Sequence, residues 1–298
     1  MAYSGSQRKR VIPLQYQIFG IVLNVMSYVH RAFTAKIASN LWFTVFKSKP
    51  KPWVVNFWQS ADQRVEIEVN HQQIPVYSWG RGPLIVVMHG WSGSGTQFSW
   101  LIPALVESGY QVASFDAPAH GINPGNQSDL IQFTESLLVI EQKLGAIDTL
   151  IAHSLGAMAS IYAIQRGLKA DRLVLFGPHL SVAEMFETYT GLLNLNSKLS
   201  GAFFHNIGLR MKDLMGGSDP WLHFTPEQLL ADLGIKGMLV FDQQDEEVSL
   251  EQFKAIEKLW VDCQSVETSG LGHNGILKDK DVINKVVGFL ELKAVSVC

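Results

Sequence analysis

The sequence predicts an α/β fold in which a mostly parallel, doubly wound sheet carries helices on both faces. Short apolar runs at 84–88, 112–115, 150–152, 173–176 and 238–241 lack polar alternation, as strands buried on both faces do. Amphipathic stretches at 96–108, 129–144, 155–166 and 250–261 separate them, and strand–helix alternation of this kind builds such a sheet. Of 298 residues, 47% are hydrophobic and 17% charged, enough apolar material for a large core and too much for a disordered chain.

Taken in order, residues 1–60 read as a helical lead-in ending in the breaker run Ser48-Lys49-Pro50-Lys51-Pro52. Arg8-Lys9-Arg10 precedes an uncharged segment, 14–29, that invites comparison with a secretory signal or a membrane span. Gln15, Gln17, Asn24 and Ser27 interrupt that segment, and Ile18, Val22, Val25, Val29, Phe33 and Ile37 recur at helical spacing. The expectation is a helix packing this stripe on the main domain, with an interfacial membrane helix as the alternative. Next, 65–69 alternates apolar and charged residues, Asn70-His71 turns, and 74–79 returns as the second strand of a hairpin. The core is expected over 61–177 and 236–298. Between them, 178–235 offers aromatics and methionines but no strand, and is expected to be a small helical cap over the sheet's carboxyl edge.

Charge and cysteines narrow the function. The net charge is −3 and the basic residues are scattered, so no nucleic-acid partner is expected. Two cysteines, Cys263 and Cys298, make no disulfide framework and suit a reducing, cytoplasmic setting.

The chemistry centres on Ala152-His153-Ser154-Leu155-Gly156, lying between an apolar run and a small-faced helix. A strand, a sharp turn and a helix with small residues two places either side of a serine form a nucleophile elbow. Gly156 fits that pattern, and Ala152 keeps the other position small. A hydroxyl needs a base, and His273 in the Gly-rich loop 268–275 is the expected one. The imidazole needs an acceptor to fix its tautomer. After the run 238–241 come Asp242, Asp245, Glu246 and Glu247; Asp245 reaches further out and is preferred to Asp242. The order Ser, Asp, His follows. His89-Gly90-Trp91 after the run 84–88 would supply the N–H of Trp91 to an oxyanion hole, with the N–H of Leu155 as second donor. His89, His120 and His153 fall near strand ends, but no carboxylate or cysteine joins them at ligand spacing, so neither metal nor cofactor is expected.

Together these motifs resemble the α/β-hydrolase superfamily from about Val65 to Leu292. His89-Gly90-Trp91-Ser92-Gly93 is similar to its oxyanion loop. Asp116-Ala117-Pro118-Ala119-His120-Gly121 is similar to its Asp-x-Pro-Gly-His-Gly loop, with Ala119 in place of the usual Gly. The resemblance implies an α/β-hydrolase fold and a serine hydrolase that cleaves a small-molecule or lipid-like ester, thioester or amide through an acyl-enzyme. Acyl transfer, or ligand binding with weak or no catalysis, are the alternatives on the same fold.

Overall fold

The computed structural model describes residues 14–291 except residue 48; Arg8-Lys9-Arg10, Ser48 and Cys298 lie outside the described residues. In chain order the elements are α1 (Leu14–Trp42), α2 (Pro52–Gln59), β1 (Gln63–Val69), β2 (Gln72–Trp79), β3 (Leu84–Met88) and α3 (Leu101–Glu107). Next come β4 (Gln111–Phe115), α4 (Leu130–Leu144), β5 (Ile147–His153), α5 (Leu155–Gln165), β6 (Ala170–Phe176), α6 (Val182–Leu192) and α7 (Ser197–Leu214). The chain closes with α8 (Pro220–His223), α9 (Pro226–Leu230), β7 (Lys236–Asp242), α10 (Leu250–Leu259), β8 (Cys263–Thr268), α11 (Gly272–Gly275) and α12 (Lys280–Glu291). The chain divides into two compact units: α1 with Val182–Asp219, and Phe43–Ser181 with the residues from Pro220 onward. Of the expected lead-in and cap, residues 43–60, 178–181 and 220–235 group with the sheet unit.

In the larger unit eight strands form one sheet in the order β1-β2-β4-β3-β5-β6-β7-β8. β1 and β2 form the expected hairpin, Asn70 and His71 both taking positive φ (49° and 62°) as a two-residue turn of matching twist demands. β2 also pairs antiparallel with β4, and from β4 to β8 every pairing is parallel. The parallel strands β3, β5, β6 and β7 are nearly all buried, so their continuous apolar runs follow from having helices on both faces. α12 shows how a helix earns its place: Val282, Val286, Phe289 and Leu290 share one buried face, each contributing roughly 1.5–3 kcal/mol relative to exposure. The single helix expected over 96–108 is two pieces, a 3₁₀ turn at Gly95–Phe98 and α3. Pro103 has no N–H for Ser99, so a continuous helix through the two would lack a bond there. Strand order reverses between β3 and β5, the place in an open α/β sheet where ligands bind at the carboxyl ends of the strands.

The smaller unit contains α1, α6 and α7. α1 bends at His30 (φ −146°, ψ 71°). Leu23 and Ala35 pack with Leu193 and Leu199, and Trp42 stands edge-on to Tyr189 with ring centres 5.3 Å apart. The face that packs is not the one the hydrophobic spacing singles out. Ile18, Val22, Val25, Val29 and Phe33 point outward, with Val22 46% and Val29 84% exposed. Close approach decides this. A Cβ on Gly20 would lie 1.8 Å from the Leu193 carbonyl oxygen, so only glycine admits that backbone. Beside it Asn24 Oδ1 accepts from the Asn196 N–H at 2.8 Å, and Asn24 Nδ2 donates to the Asn194 carbonyl at 2.8 Å. By length and composition α1 is apolar enough to cross a membrane, its most apolar 18-residue window having a mean hydropathy of 1.2.

Candidate active site

Ser154 stands between β5 and α5 with φ 53° and ψ −123°, a region that L-residues occupy only when their surroundings force it. Its N–H donates to the Phe176 carbonyl at 3.0 Å, and its own carbonyl accepts from Ala157 N at 3.0 Å and His179 N at 3.3 Å. The turn is thus tied to β6 and to its own helix. A Cβ on Gly156 would lie 2.5 Å from the His89 carbonyl oxygen, which is why the position after the turn is glycine. A Cβ on Gly90 would sit 2.8 Å from Ser154 Cβ, so the loop after β3 runs directly past the serine.

Asp245 and His273 meet. Nδ1 of His273 lies 2.7 Å from Asp245 Oδ2, and both side chains are almost fully buried. A carboxylate only accepts, so Nδ1 carries the proton and Nε2 is left as the basic nitrogen. Oδ1 of Asp245 accepts from the N–H groups of Glu247 (2.8 Å) and Val248 (3.0 Å), which holds the carboxylate in one orientation. On the other side of the imidazole, Glu247 Oε2 lies 3.5 Å from Nε2. Asp242 has a different place: it accepts from Thr268 Oγ1 at 2.7 Å and from the N–H groups of Leu271 (3.0 Å) and Gln244 (2.9 Å). Burial pushes its pKa up, but these donors and the Gly272 N–H outweigh burial and hold the carboxyl below its ordinary range.

Two residues link Ser154 to that pair. His153, immediately before the serine, has Nε2 3.0 Å from the His273 carbonyl oxygen and its ring centre 4.6 Å from that of His273. A carbonyl only accepts, so this nitrogen is protonated. Burial, then the nearby His273, lowers the His153 pKa to about 3, keeping the ring neutral. Gly177, one residue past the Phe176 carbonyl that receives the Ser154 N–H, takes φ +49° and forms a floor under the pair. A Cβ there would lie 3.1 Å from His273 Nδ1 and 3.4 Å from Asp245 Oδ2. Sequence reasoning missed Gly177 as well as His179, a buried imidazole held near pKa 4 chiefly by desolvation. A glycine directly after the apolar run 173–176, followed by Pro178-His179, is the signal that could have found them.

The N–H groups of Trp91 and Leu155 donate to no carbonyl in the turns and loops among the described residues. The Trp91 ring lies edge-on to His120, centres 5.0 Å apart, and stacks on Phe133. His89 has both nitrogens committed: Nδ1 donates to the Gly90 carbonyl at 2.7 Å and Nε2 accepts from Ala117 N at 2.9 Å. It therefore braces the loops after β3 and β4. Asp116 completes that brace, accepting from Ser94 Oγ, Gly95 N and Ile122 N, and a Cβ on Gly121 would collide with it. Ala119, where the resembled loop has glycine, takes φ +63°.

Residues 83–207 match the protein family described as alpha/beta hydrolase fold. Among solved structures the chain is similar to a bromoperoxidase from Bacillus anthracis: 20% identity, TM-score 0.58, covering 78% of this chain and 100% of that one. It is also similar to a thermophilic esterase from Thermogutta terrifontis: 15% identity, TM-score 0.57, covering 77% and 98%. A thioesterase domain from the curacin biosynthetic pathway gives 17% identity and a TM-score of 0.55, covering 77% and 99%. No curated protein matches the chain. The sheet, its order and these likenesses define an α/β-hydrolase fold.

Proposed function

We propose that this protein is a serine hydrolase cleaving a carboxylic ester or thioester through an acyl-enzyme. The observation that carries the reading is the 2.7 Å bond between His273 and Asp245, set beside the strained turn that holds Ser154. In this mechanism His273 Nε2 takes the Ser154 hydroxyl proton as Oγ attacks the substrate carbonyl. The N–H groups of Trp91 and Leu155 stabilise the oxyanion, a contribution of about 2.7–4 kcal/mol for each donor. The tetrahedral intermediate collapses, the leaving group departs with the proton from His273, and water, deprotonated by the same nitrogen, releases the acid. Asp245 holds the imidazole in the required tautomer. Cys263 is no rival nucleophile, because burial pushes its thiol up to about 12.

The test is a fluorophosphonate probe with short p-nitrophenyl esters, on wild type and Ser154→Ala. Labelling at Ser154 and turnover lost in the variant are expected. An unlabelled, inactive wild type would leave ligand binding as the function, and added alcohols forming new esters would make the enzyme an acyltransferase.

A lipid-like substrate accords with the outward stripe on α1, uncharged from 14 to 29 and followed by exposed Arg31 and Lys36. We propose that this face rests on an anionic membrane surface around a cytoplasmic enzyme. Partitioning of the full chain onto phosphatidylserine vesicles measures it.

A further inference from the structure

A second polar feature adjoins the serine loop. A cavity of about 240 Å³ is lined by Lys47, Lys49 and Lys51, by Trp53 and Ile122, and by the loop from Ser92 to Ser94. The sequence makes the convergence of the lysines understandable. Lys49 and Lys51 each precede a proline, which confines them to extended backbone, and Lys51 has φ −75° and ψ 154°. Lysines at alternate positions of an extended segment share one face. Lys47 Nζ is further pinned by donating to the Asn123 carbonyl at 2.7 Å. None of the three ammonium groups has an ion-pair partner among the described residues. The nearest buried carboxylate, Asp116, spends its oxygens on Ser94, Gly95 and Ile122.

Three ammonium groups without an ion-pair partner around one concavity, on a chain of net charge −3, call for an anion. The volume is below the roughly 300–1,000 Å³ that encloses a whole small molecule, so one end of a ligand fits. Trp53, 48% exposed, gives that end an apolar wall. The position says which end. Ser92 and Gly93 line the cavity, Gly93 N donates to the Gly90 carbonyl at 3.1 Å, and Gly90 runs against Ser154, so the loop that walls the cavity is the one that passes the serine.

We propose that this cavity binds the phosphate of the leaving group, so that the substrate is an acyl ester or thioester of a phosphate-bearing alcohol or thiol. This rests on the hydrolase reading above. Ammonium groups bind phosphate oxygens through charge-assisted hydrogen bonds, and losing two of them weakens binding by at least about tenfold.

The experiment has a binding part and a kinetic part. Inorganic pyrophosphate is titrated calorimetrically into the Ser154→Ala protein with and without Lys49→Gln/Lys51→Gln. Binding that the double substitution abolishes is expected. The kinetic part compares an acyl-coenzyme A and a monomeric lysophospholipid with a neutral thioester and a monoacylglycerol. In Lys49→Gln/Lys51→Gln the ratio of KM for the phosphate-bearing substrate to that for its neutral counterpart should rise about tenfold, and added salt should raise the same ratio in wild type. The arm that responds, thioester or lipid, identifies the source of the phosphate. Absence of pyrophosphate binding, or a KM ratio the lysines do not move, overturns the proposal. Failure of fluorophosphonate labelling with pyrophosphate still bound overturns the hydrolase reading and the leaving-group assignment, and leaves an anion site.

Discussion

Asp242, the last residue of β7, and Asp245, three positions on in the loop that follows, do unlike work. Asp245 faces His273 through one oxygen and two main-chain donors through the other. Asp242 ties the loop after β7 to Thr268 and Leu271 at the end of β8. Asp245→Asn should therefore keep the fold and lower kcat by about 10³–10⁴, because an amide can present its N–H to the imidazole and favour the wrong tautomer. Asp242→Asn should instead lower stability by about 1–3 kcal/mol in urea unfolding, the cost of leaving buried donors poorly met. Its depressed carboxyl also signs the pH effect: this stabilisation is full above the ordinary value of 3.8 and is lost as pH falls through the lower folded value. Equal effects of the two substitutions on both measurements would refute the division. The contact of Asp245 with His273 follows a sequence argument, since an acid after that strand has to reach outward to meet an imidazole. The work of Asp242 was hidden, since Thr268 and Leu271 lie more than twenty residues downstream and become its neighbours only through the pairing of β7 with β8.

At the level of elements, strands were easier to read than the faces of helices. The runs 84–88 and 238–241 declare burial on both sides, and the structure places them in the sheet as β3 and β7. α1 declares only a period. Its branched stripe and its Gly20, Leu23, Asn24 side are both plausible interfaces until Leu193 and Asn196 are known to be opposite, and those lie some 170 residues away. α2 escaped notice for another reason: the prolines at 50 and 52 read as breakers, yet Pro52 is the first residue of the helix, where a missing N–H costs nothing. The exposed stripe makes a prediction of its own. Val25→Asp/Val29→Asp should cut partitioning onto anionic vesicles by more than about tenfold while leaving thermal unfolding nearly in place, as both side chains are exposed. Partitioning unaffected by the two charges would remove the membrane proposal.

For the whole molecule, histidine is the weak point in acid. His120 and His153 are held near pKa 3 and His179 near 4, in each case chiefly by burial. The unfolded chain binds these protons near 6.5, so below that value the unfolded state takes up more of them and stability falls. Each group contributes about 1.4 kcal/mol per pH unit, so three together cost on the order of 6 kcal/mol between pH 6.5 and 5. A domain holds only about 5–15 kcal/mol. The urea midpoint should therefore drop steeply from pH 7.5 to 5.0, and a flat profile would mean that these rings are protonated without unfolding. One feature of the smaller unit reaches beyond the finished fold. Its first helix leaves the ribosome before Val182 is made, and Leu23 and Ala35 meet no partner from outside α1 until α6 and α7 emerge. At ordinary translation speeds that interval is on the order of ten seconds. A nascent chain displaying so apolar a helix for so long is exposed to aggregation, and its yield in a cell-free synthesis should rise when a chaperone or a lipid surface is supplied.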